Sequence, residues 1–278
     1  LPNPRANTRN IVLVAGASSG IGLATVQSLH AQGFCVYGAS RRRPDGEIPW
    51  LTMDVNDDAS VASGIAAIIE AEGRIDALVN CAGFGIAGAI EDTSIDEARA
   101  QFETNFFGAM RTCRAVLPTM RAQKHGLIIN IGSLAGLIAV PFQGLYSASK
   151  FALEGFSEAL RMEVKKYGID IAIVEPGDFK TGFTASRIRV TAADAPSPYF
   201  ADCERALQQM EKDESTGLPA SHVAELVQRI IETPHPRLRY RVGKTTQKAA
   251  VGLKHILPET IFEALVMQSF HVPRQQTP

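Results

Sequence analysis

The 278 residues are enough for one large domain with an ample core. A formal net charge of -1, with 45% hydrophobic and 21% charged residues, suits a soluble globular protein and lacks the basic excess of a nucleic-acid binder. The four cysteines, Cys35, Cys81, Cys113 and Cys203, are scattered without CxxC spacing, so they read as small buried hydrophobes in a reducing cytoplasmic setting, not as a disulfide framework or metal site.

Residues 1–10 are polar, with nothing to serve as a signal peptide, and no run of about 18 apolar residues follows to span a bilayer. Residues 10–15, Asn-Ile-Val-Leu-Val-Ala, predict a strand buried on both faces. It runs into Gly16-Ala17-Ser18-Ser19-Gly20-Ile21-Gly22 and then a helix over 21–32. A strand, a glycine turn and a helix N-terminus together make a phosphate site, because free N–H groups and the positive end of the helix dipole point at the anion. The glycines let the backbone come close.

A second strand over 34–39 ends in Ser40-Arg41-Arg42-Arg43. An NAD-binding unit would carry an acidic residue here for the ribose 2′-hydroxyl. A guanidinium beside a serine instead suits a 2′-phosphate, so the cofactor expected is NADP(H) rather than NAD(H), with Arg41 foremost and Ser40 and Arg42 assisting. Residues 44–49 are too few for a crossover helix before the strand over 50–53. Asp54, followed by Val55, can accept from an adenine amino group, cap the helix beginning near 57, or do both. Helical spacing continues over 59–70, a fourth strand follows over 75–80, and a long amphipathic helix is predicted over 96–124 with Asn105 and Pro118 inside it.

The strand over 126–131 leads to Gly132-Ser133. A serine at a strand's C-terminal end stands where such sheets bind ligands, and its hydroxyl can donate to a carbonyl oxygen. Tyr146-Ser147-Ala148-Ser149-Lys150 opens the next helix, predicted over 146–167. Tyr146 and Lys150, four apart, share a helix face, and a nearby ammonium is expected to lower the tyrosine pKa toward neutrality. A strand over 169–174 precedes Pro176-Gly177-Asp178-Phe179-Lys180-Thr181. Residues 178–220 lose the regular alternation and read as a lid with aromatic content. A helix over 220–232, a last strand over 238–242 and an amphipathic tail over 244–267 complete the chain.

Several of these segments together resemble the short-chain dehydrogenase/reductase family. The glycine spacing, Asn80-Cys81-Ala82-Gly83, Asn105-Phe106-Phe107-Gly108, Ser133 thirteen positions before Tyr146, Lys150, and Pro176-Gly177 with Thr181 follow the family's order. Ala15 stands where the family usually has Thr, and Cys81 where it has a second Asn. The resemblance covers roughly 10–181 and implies one Rossmann-like α/β domain: a doubly wound, mostly parallel sheet of about seven strands over 10–177, a helical lid over 178–220 and a helical tail over 244–278. It further implies Ser133, Tyr146, Lys150 and Asn105 as catalytic residues, the last by bending its helix around a water relay. Asp54 would meet adenine, Ala82 and Gly83 would admit the cofactor ribose, Asn80 would steady the sheet, and Thr181 would hold the carboxamide. Lys150 would also hold the nicotinamide ribose.

Phe151-Ala152-Leu153-Glu154-Gly155 and Val174-Glu175-Pro176-Gly177 resemble the branch holding 17β-hydroxysteroid and retinol dehydrogenases. That implies interconversion of a carbonyl and an alcohol on a bulky apolar substrate. The alternatives are a reductase of 3-oxoacyl thioesters or small carbonyls and, from another class, a catalytically silent NADP-binding regulator. The resemblance also implies a homodimer or homotetramer through the helices over 96–124 and 146–167, one surface of which the tail can block.

Overall fold

The computed structural model describes residues 10–44, 46–192 and 196–273. The ends of the chain, 1–9 and 274–278, and residues 45 and 193–195 lie outside the described residues, and with them parts of the leader, lid and tail readings. The elements run β1 (Ile11–Ala15), α1 (Gly20–Ala31), β2 (Cys35–Ser40), β3 (Trp50–Thr52), α2 (Asp58–Glu72), β4 (Ala77–Asn80), β5 (Ile86–Ala87), α3 (Ile95–Phe102), a π-helical turn (Glu103–Gly108), α4 (Ala109–Gln123) and β6 (Gly126–Ile131). Then follow a 3-10 turn (Leu134–Gly136), α5 (Gly144–Val164), a second 3-10 turn (Lys165–Tyr167), β7 (Ile169–Pro176), β8 (Phe179–Lys180), α6 (Phe183–Ser186), β9 (Ile188–Arg189), α7 (Phe200–Ser215), β10 (Leu218–Pro219), α8 (Ser221–Glu232), β11 (Arg239–Val242), α9 (Thr245–Lys254) and α10 (Glu259–Ser269).

Seven strands form one parallel sheet in the order β11-β7-β6-β4-β1-β2-β3. Strand β1 shows why. All five of its residues are buried, and the pleat sends them alternately to two helix layers. Ile11, Leu13 and Ala15 join the core beneath α2, α4 and α5. Val12 and Val14 join the core beneath α1 and α8. The chain reverses its winding direction across β1 and β4, which opens a crevice at the strands' C-terminal ends. The core is thus a doubly wound Rossmann-like sheet of seven parallel strands, as expected.

Four details differ from the expected elements. The helix over 96–124 is interrupted: residues 103–108 form a π turn around Asn105, so α3 and α4 are offset. Asp57, not Asp54, caps α2, accepting from the Ser60 amide at 2.8 Å. The Asp54 carboxylate instead accepts from the Asn56 amide at 3.0 Å. Finally, the lid is tied down by two small parallel ladders, β5 with β9 and β8 with β10, which two-residue strands give no periodic pattern to announce.

Candidate active site

The nucleotide turn is built by crowding. Gly16 sits at φ +79° with the Ala82 backbone so near that a Cβ would lie 2.3 Å from the Ala82 nitrogen. At Gly22 a Cβ would lie 2.2 Å from the Gly16 carbonyl oxygen. The turn therefore closes only with glycine at both places. Helix α1 begins behind Ser19, whose side chain makes no capping hydrogen bond, and its first turn holds no acidic residue. In α2 and α3, by contrast, Asp57 and Ser94 cap the first turn. The exposed amide dipoles of α1 thus suit a phosphate. At the end of β2, Ser40 accepts from the Trp50 indole at 3.3 Å and donates to the Arg42 carbonyl. Arg41 and Arg42 are exposed, and neither guanidinium has a hydrogen-bond or ion-pair partner among the described residues.

One cavity of about 1420 Å³ runs along the strand ends. That exceeds the usual range for a single small ligand and leaves room for a dinucleotide beside a substrate. Of the residues expected in the site, Gly16, Ser18, Ser19, Gly20, Ile21, Gly22, Ser40, Arg41, Arg42, Asp54, Val55, Ala82, Gly83, Ser133, Tyr146, Lys150, Pro176, Gly177 and Thr181 all line it. These side chains and turns fit a dinucleotide.

Asn80 and Asn105 lie behind the wall. Asn80 donates to the Asn130 side chain at 2.9 Å and accepts from Thr112 at 2.7 Å, and Asn130 donates to Ser157 at 2.8 Å. This buried chain ties β4 and β6 to α4 and α5, the steadying role expected of Asn80. Asn105 is 1% exposed. Its carboxamide clasps Phe84, accepting from the amide at 3.0 Å and donating to the carbonyl at 3.0 Å, with a further donation to Ser149 at 3.2 Å. The π turn brings that carboxamide to within 3.2 Å of where a Gly83 Cβ would be.

Helix α5 starts at Gly144, so Tyr146 and Lys150 occupy its first two turns. Lys150 is buried and donates to the Ile131 carbonyl at 2.9 Å, and its Nζ lies 5.9 Å from the Tyr146 ring centroid. Ser133 accepts from the Ala135 amide at 3.0 Å. The expectation that Lys150 lowers the Tyr146 pKa is corrected here. Burial pushes the Tyr146 hydroxyl up to about 12, against a downward pull from its hydrogen bond to Ser133. Glu214 adds to the rise and Arg187 opposes it. Lys150 itself is brought down to about 8, chiefly by burial, with Glu154 acting in the opposite sense. The lysine head is hydrogen-bonded to the Ile131 carbonyl, 5.9 Å from the Tyr146 ring centroid, and the burial of the phenol outweighs its other neighbours. A tyrosine held in its protonated form is the form a proton donor needs.

The lid and tail side of the cavity combines Phe183, one of the aromatic residues the lid reading rested on, with residues that sequence reasoning missed. Phe183 packs on Tyr146 at 5.5 Å between ring centroids. Arg187 pairs with Glu214 of α7, and its guanidinium lies 5.9 Å from the Phe183 ring. Met210 of α7, Leu253 of α9, and Phe262, Leu265 and Phe270 in and after α10 add apolar walls. Gln247 of α9 donates to the Asp178 carboxylate and accepts from the Asp178 amide at 3.3 Å, which pins the tail to the Pro176-Gly177 turn. Burial, then Asp213 and Glu214, raise Asp178 to about 6. Only the aromatic content of the lid and the amphipathic character of the tail hinted at these walls.

Glu154 and Glu175 turn out to be a structural clamp. Arg239 holds Glu154 at 3.0 Å and Glu158 at 2.9 Å, while Arg241 holds Glu175 at 3.1 Å, fixing the edge strand β11 to α5 and β7. The four cysteines form no disulfide, and among the described residues no cluster could hold a metal and no helix is long and apolar enough to cross a membrane.

This fold and site define a class, and comparison with known proteins agrees with it. Residues 10–190 match the short chain dehydrogenase family. The chain belongs to the short-chain dehydrogenase/reductase family and is an oxidoreductase. Among its relatives is a 3-ketodihydrosphingosine reductase of Bacteroides thetaiotaomicron, 41% identical over 255 residues that cover 91% of this chain and 95% of that protein. Retinol dehydrogenase 8 of Bos taurus is 34% identical over 276 residues, covering 91% of this chain and 87% of that protein. Among solved structures, a short-chain dehydrogenase/reductase from Burkholderia phymatum in complex with NAD superposes with a TM-score of 0.77 at 25% identity, covering 97% of each chain.

Proposed function

We propose that this protein is an NADP(H)-dependent reductase of a bulky, apolar ketone, interconverting the carbonyl and the alcohol. One observation carries the reading: Ser133, Tyr146 and Lys150 meet in a cavity whose far wall is built from apolar lid and tail side chains. Both named relatives point the same way. A ketodihydrosphingosine and a retinol are long, apolar molecules, and the more similar of the two relatives is named for a ketone. A reducing cytoplasmic setting accords with four cysteines that form no disulfide.

In this reading the glycine turn and α1 hold the pyrophosphate, and Arg41, helped by Ser40 and Arg42, holds a 2′-phosphate. Asp54 and Val55 border the adenine, Ala82 and Gly83 the ribose, and Thr181 the carboxamide. When bound, the cofactor supplies the hydride that reaches the carbonyl carbon. Ser133 and Tyr146 hydrogen-bond the carbonyl oxygen and so orient it. Tyr146 gives its proton to that oxygen as negative charge develops there. Lys150, charged below about pH 8 and buried beside the Tyr146 ring, holds the nicotinamide ribose. Asn105 acts as a positioning residue, holding residues 83–84 against Lys150. Exposed Phe107, Phe151 and Met162 on and beside the long helices support a homodimer or homotetramer through that face.

The test is NADPH oxidation at 340 nm against steroids, retinal, long-chain ketones and 3-oxoacyl thioesters. Turnover on the bulky apolar members is expected. Tyr146→Phe should lose that turnover by a factor of about 100 or more while still binding NADPH. Turnover on thioesters alone would overturn the substrate reading, and full activity in the Tyr146→Phe variant would overturn the mechanism.

A further inference from the structure

The lid touches Tyr146 through Phe183, whose ring centroid lies 5.5 Å from that of the tyrosine. A buried ion pair fastens the lid close by. Arg187, just after α6, pairs with Glu214 of α7, and the two side chains are 4% and 13% exposed. The other oxygen of Glu214 accepts from the Thr184 hydroxyl, so one carboxylate holds two residues of the lid. The guanidinium depends on that carboxylate, because its Nε and Nη1 are buried and have no hydrogen-bond partner among the described residues. A buried charge that loses its one partner is left uncompensated, so the segment keeps the pair or leaves its place.

The same residues set the Phe183 ring. The Arg187 guanidinium lies 5.9 Å from the ring centroid. Gly85 leaves room for both: a Cβ there would lie 2.9 Å from Phe183 Cζ and 3.9 Å from Arg187 Cγ. Gly85 also accepts from the Ile188 amide at 2.9 Å, where β9 joins β5. Phe183 and Glu214 both line the cavity that holds Tyr146.

We propose that Arg187 and Glu214 are positioning residues: their ion pair, with Thr184, latches the lid so that Phe183 stays seated on Tyr146 and keeps water from the reacting hydroxyl. The inference rests on the proton-donor role of Tyr146 proposed above and adds the means by which that donor is kept dry.

Two effects of opposite sign separate such a latch from charge acting directly. Tyr146 is faced by Ser133 after β6, Lys150 on its own helix, Asp178 after β7, Arg187 in the lid and Glu214 on α7. Arg187 pulls the phenol down, so loss of its charge alone would raise the Tyr146 pKa. Burial pushes the phenol up more strongly than any of these neighbours acts, so unseating Phe183 and wetting the phenol would lower it.

Tyrosinate absorbance titrated with pH, taken as the difference between each protein and its Tyr146→Phe counterpart, follows Tyr146 alone. The wild-type midpoint is expected at about 12. Arg187→Met should bring it down by at least about one pH unit, toward the ordinary ~10 of a solvated tyrosine. Phe183→Ala should do the same, and the double variant should go no further, since both act through one ring. An NADPH Kd within about twofold of wild type reports that a variant is folded, and folded Arg187→Met should reduce ketones with kcat at least about tenfold lower. An unchanged or raised midpoint in Arg187→Met, additive shifts in the double variant, or an unchanged kcat overturns the proposal. If Arg187→Met does not fold, Thr184→Val decides, since it loosens Glu214 without removing a charge: a lowered midpoint supports the latch and an unchanged one overturns it. If the wild type reduces no ketone, the reductase reading has failed, a distinct result because the titration needs no substrate.

Discussion

At the scale of single residues, the site works by contrast of neighbours. Tyr146 and Lys150 are one helical turn apart, yet burial moves the phenol up and the ammonium down. In the proposed reduction the pair would start with the tyrosine protonated and the lysine charged only below about pH 8. Arg41 makes the other decisive contrast, an exposed cation with no partner among the described residues at the edge of the nucleotide crevice. Arg41→Asp should raise the KM for NADPH at least about tenfold, since a charge-assisted contact to phosphate becomes a repulsion. NADH should be used no worse than before. Steady-state kinetics with both cofactors checks this, and equal losses for the two would remove the phosphate role.

At the scale of elements, two local irregularities place the chemistry. The π turn over Glu103–Gly108 adds a residue to a helix that would otherwise carry Asn105 past the site. With it, the Asn105 carboxamide clasps Phe84 and closes the loop beneath Lys150. The glycine turn is the second irregularity. Gly22→Ala would set a methyl 2.2 Å from the Gly16 carbonyl, and both partners are backbone and cannot step aside. Overpacking of this kind costs about 1–3 kcal/mol, or a fall in Tm of at least about 2 °C. Differential scanning fluorimetry with and without NADPH should show both the lower Tm and a loss of the cofactor's stabilising shift. An unchanged shift would mean that the turn does not hold the cofactor.

At the scale of the whole molecule, the tail lines the same cavity as Ser133, Tyr146 and Lys150. Residues of α9 and α10 add apolar side chains to its wall, and Gln247 of α9 is hydrogen-bonded to Asp178. Phe262→Asp would place a charge in that wall. It should raise the KM for a long-chain ketone about tenfold or more, while the Kd for NADPH, measured by fluorescence, stays within about twofold. Comparable losses for both ligands would show that the tail supports the fold and not the substrate.

Much of this was legible in the chain itself, and for a physical reason. The buried strands announce themselves because a parallel strand covered on both faces needs a continuous apolar run, as in Ile11–Ala15 and Gly126–Ile131. That the glycine turn, Ser133, Tyr146 and Lys150 line one cavity is legible because each stands at the C-terminal end of a buried strand or in the first turns of the helix that follows. What only the tertiary structure decided depends on distance through space. The direction of the Tyr146 shift follows from the burial around it, which spacing to Lys150 does not report. The clasp of Asn105 on Phe84, the pairing of Arg187 with Glu214 and the pin of Gln247 on Asp178 join residues 21, 27 and 69 positions apart. No local pattern encodes such contacts, because each arises only once the sheet and its helices have set the intervening chain in place.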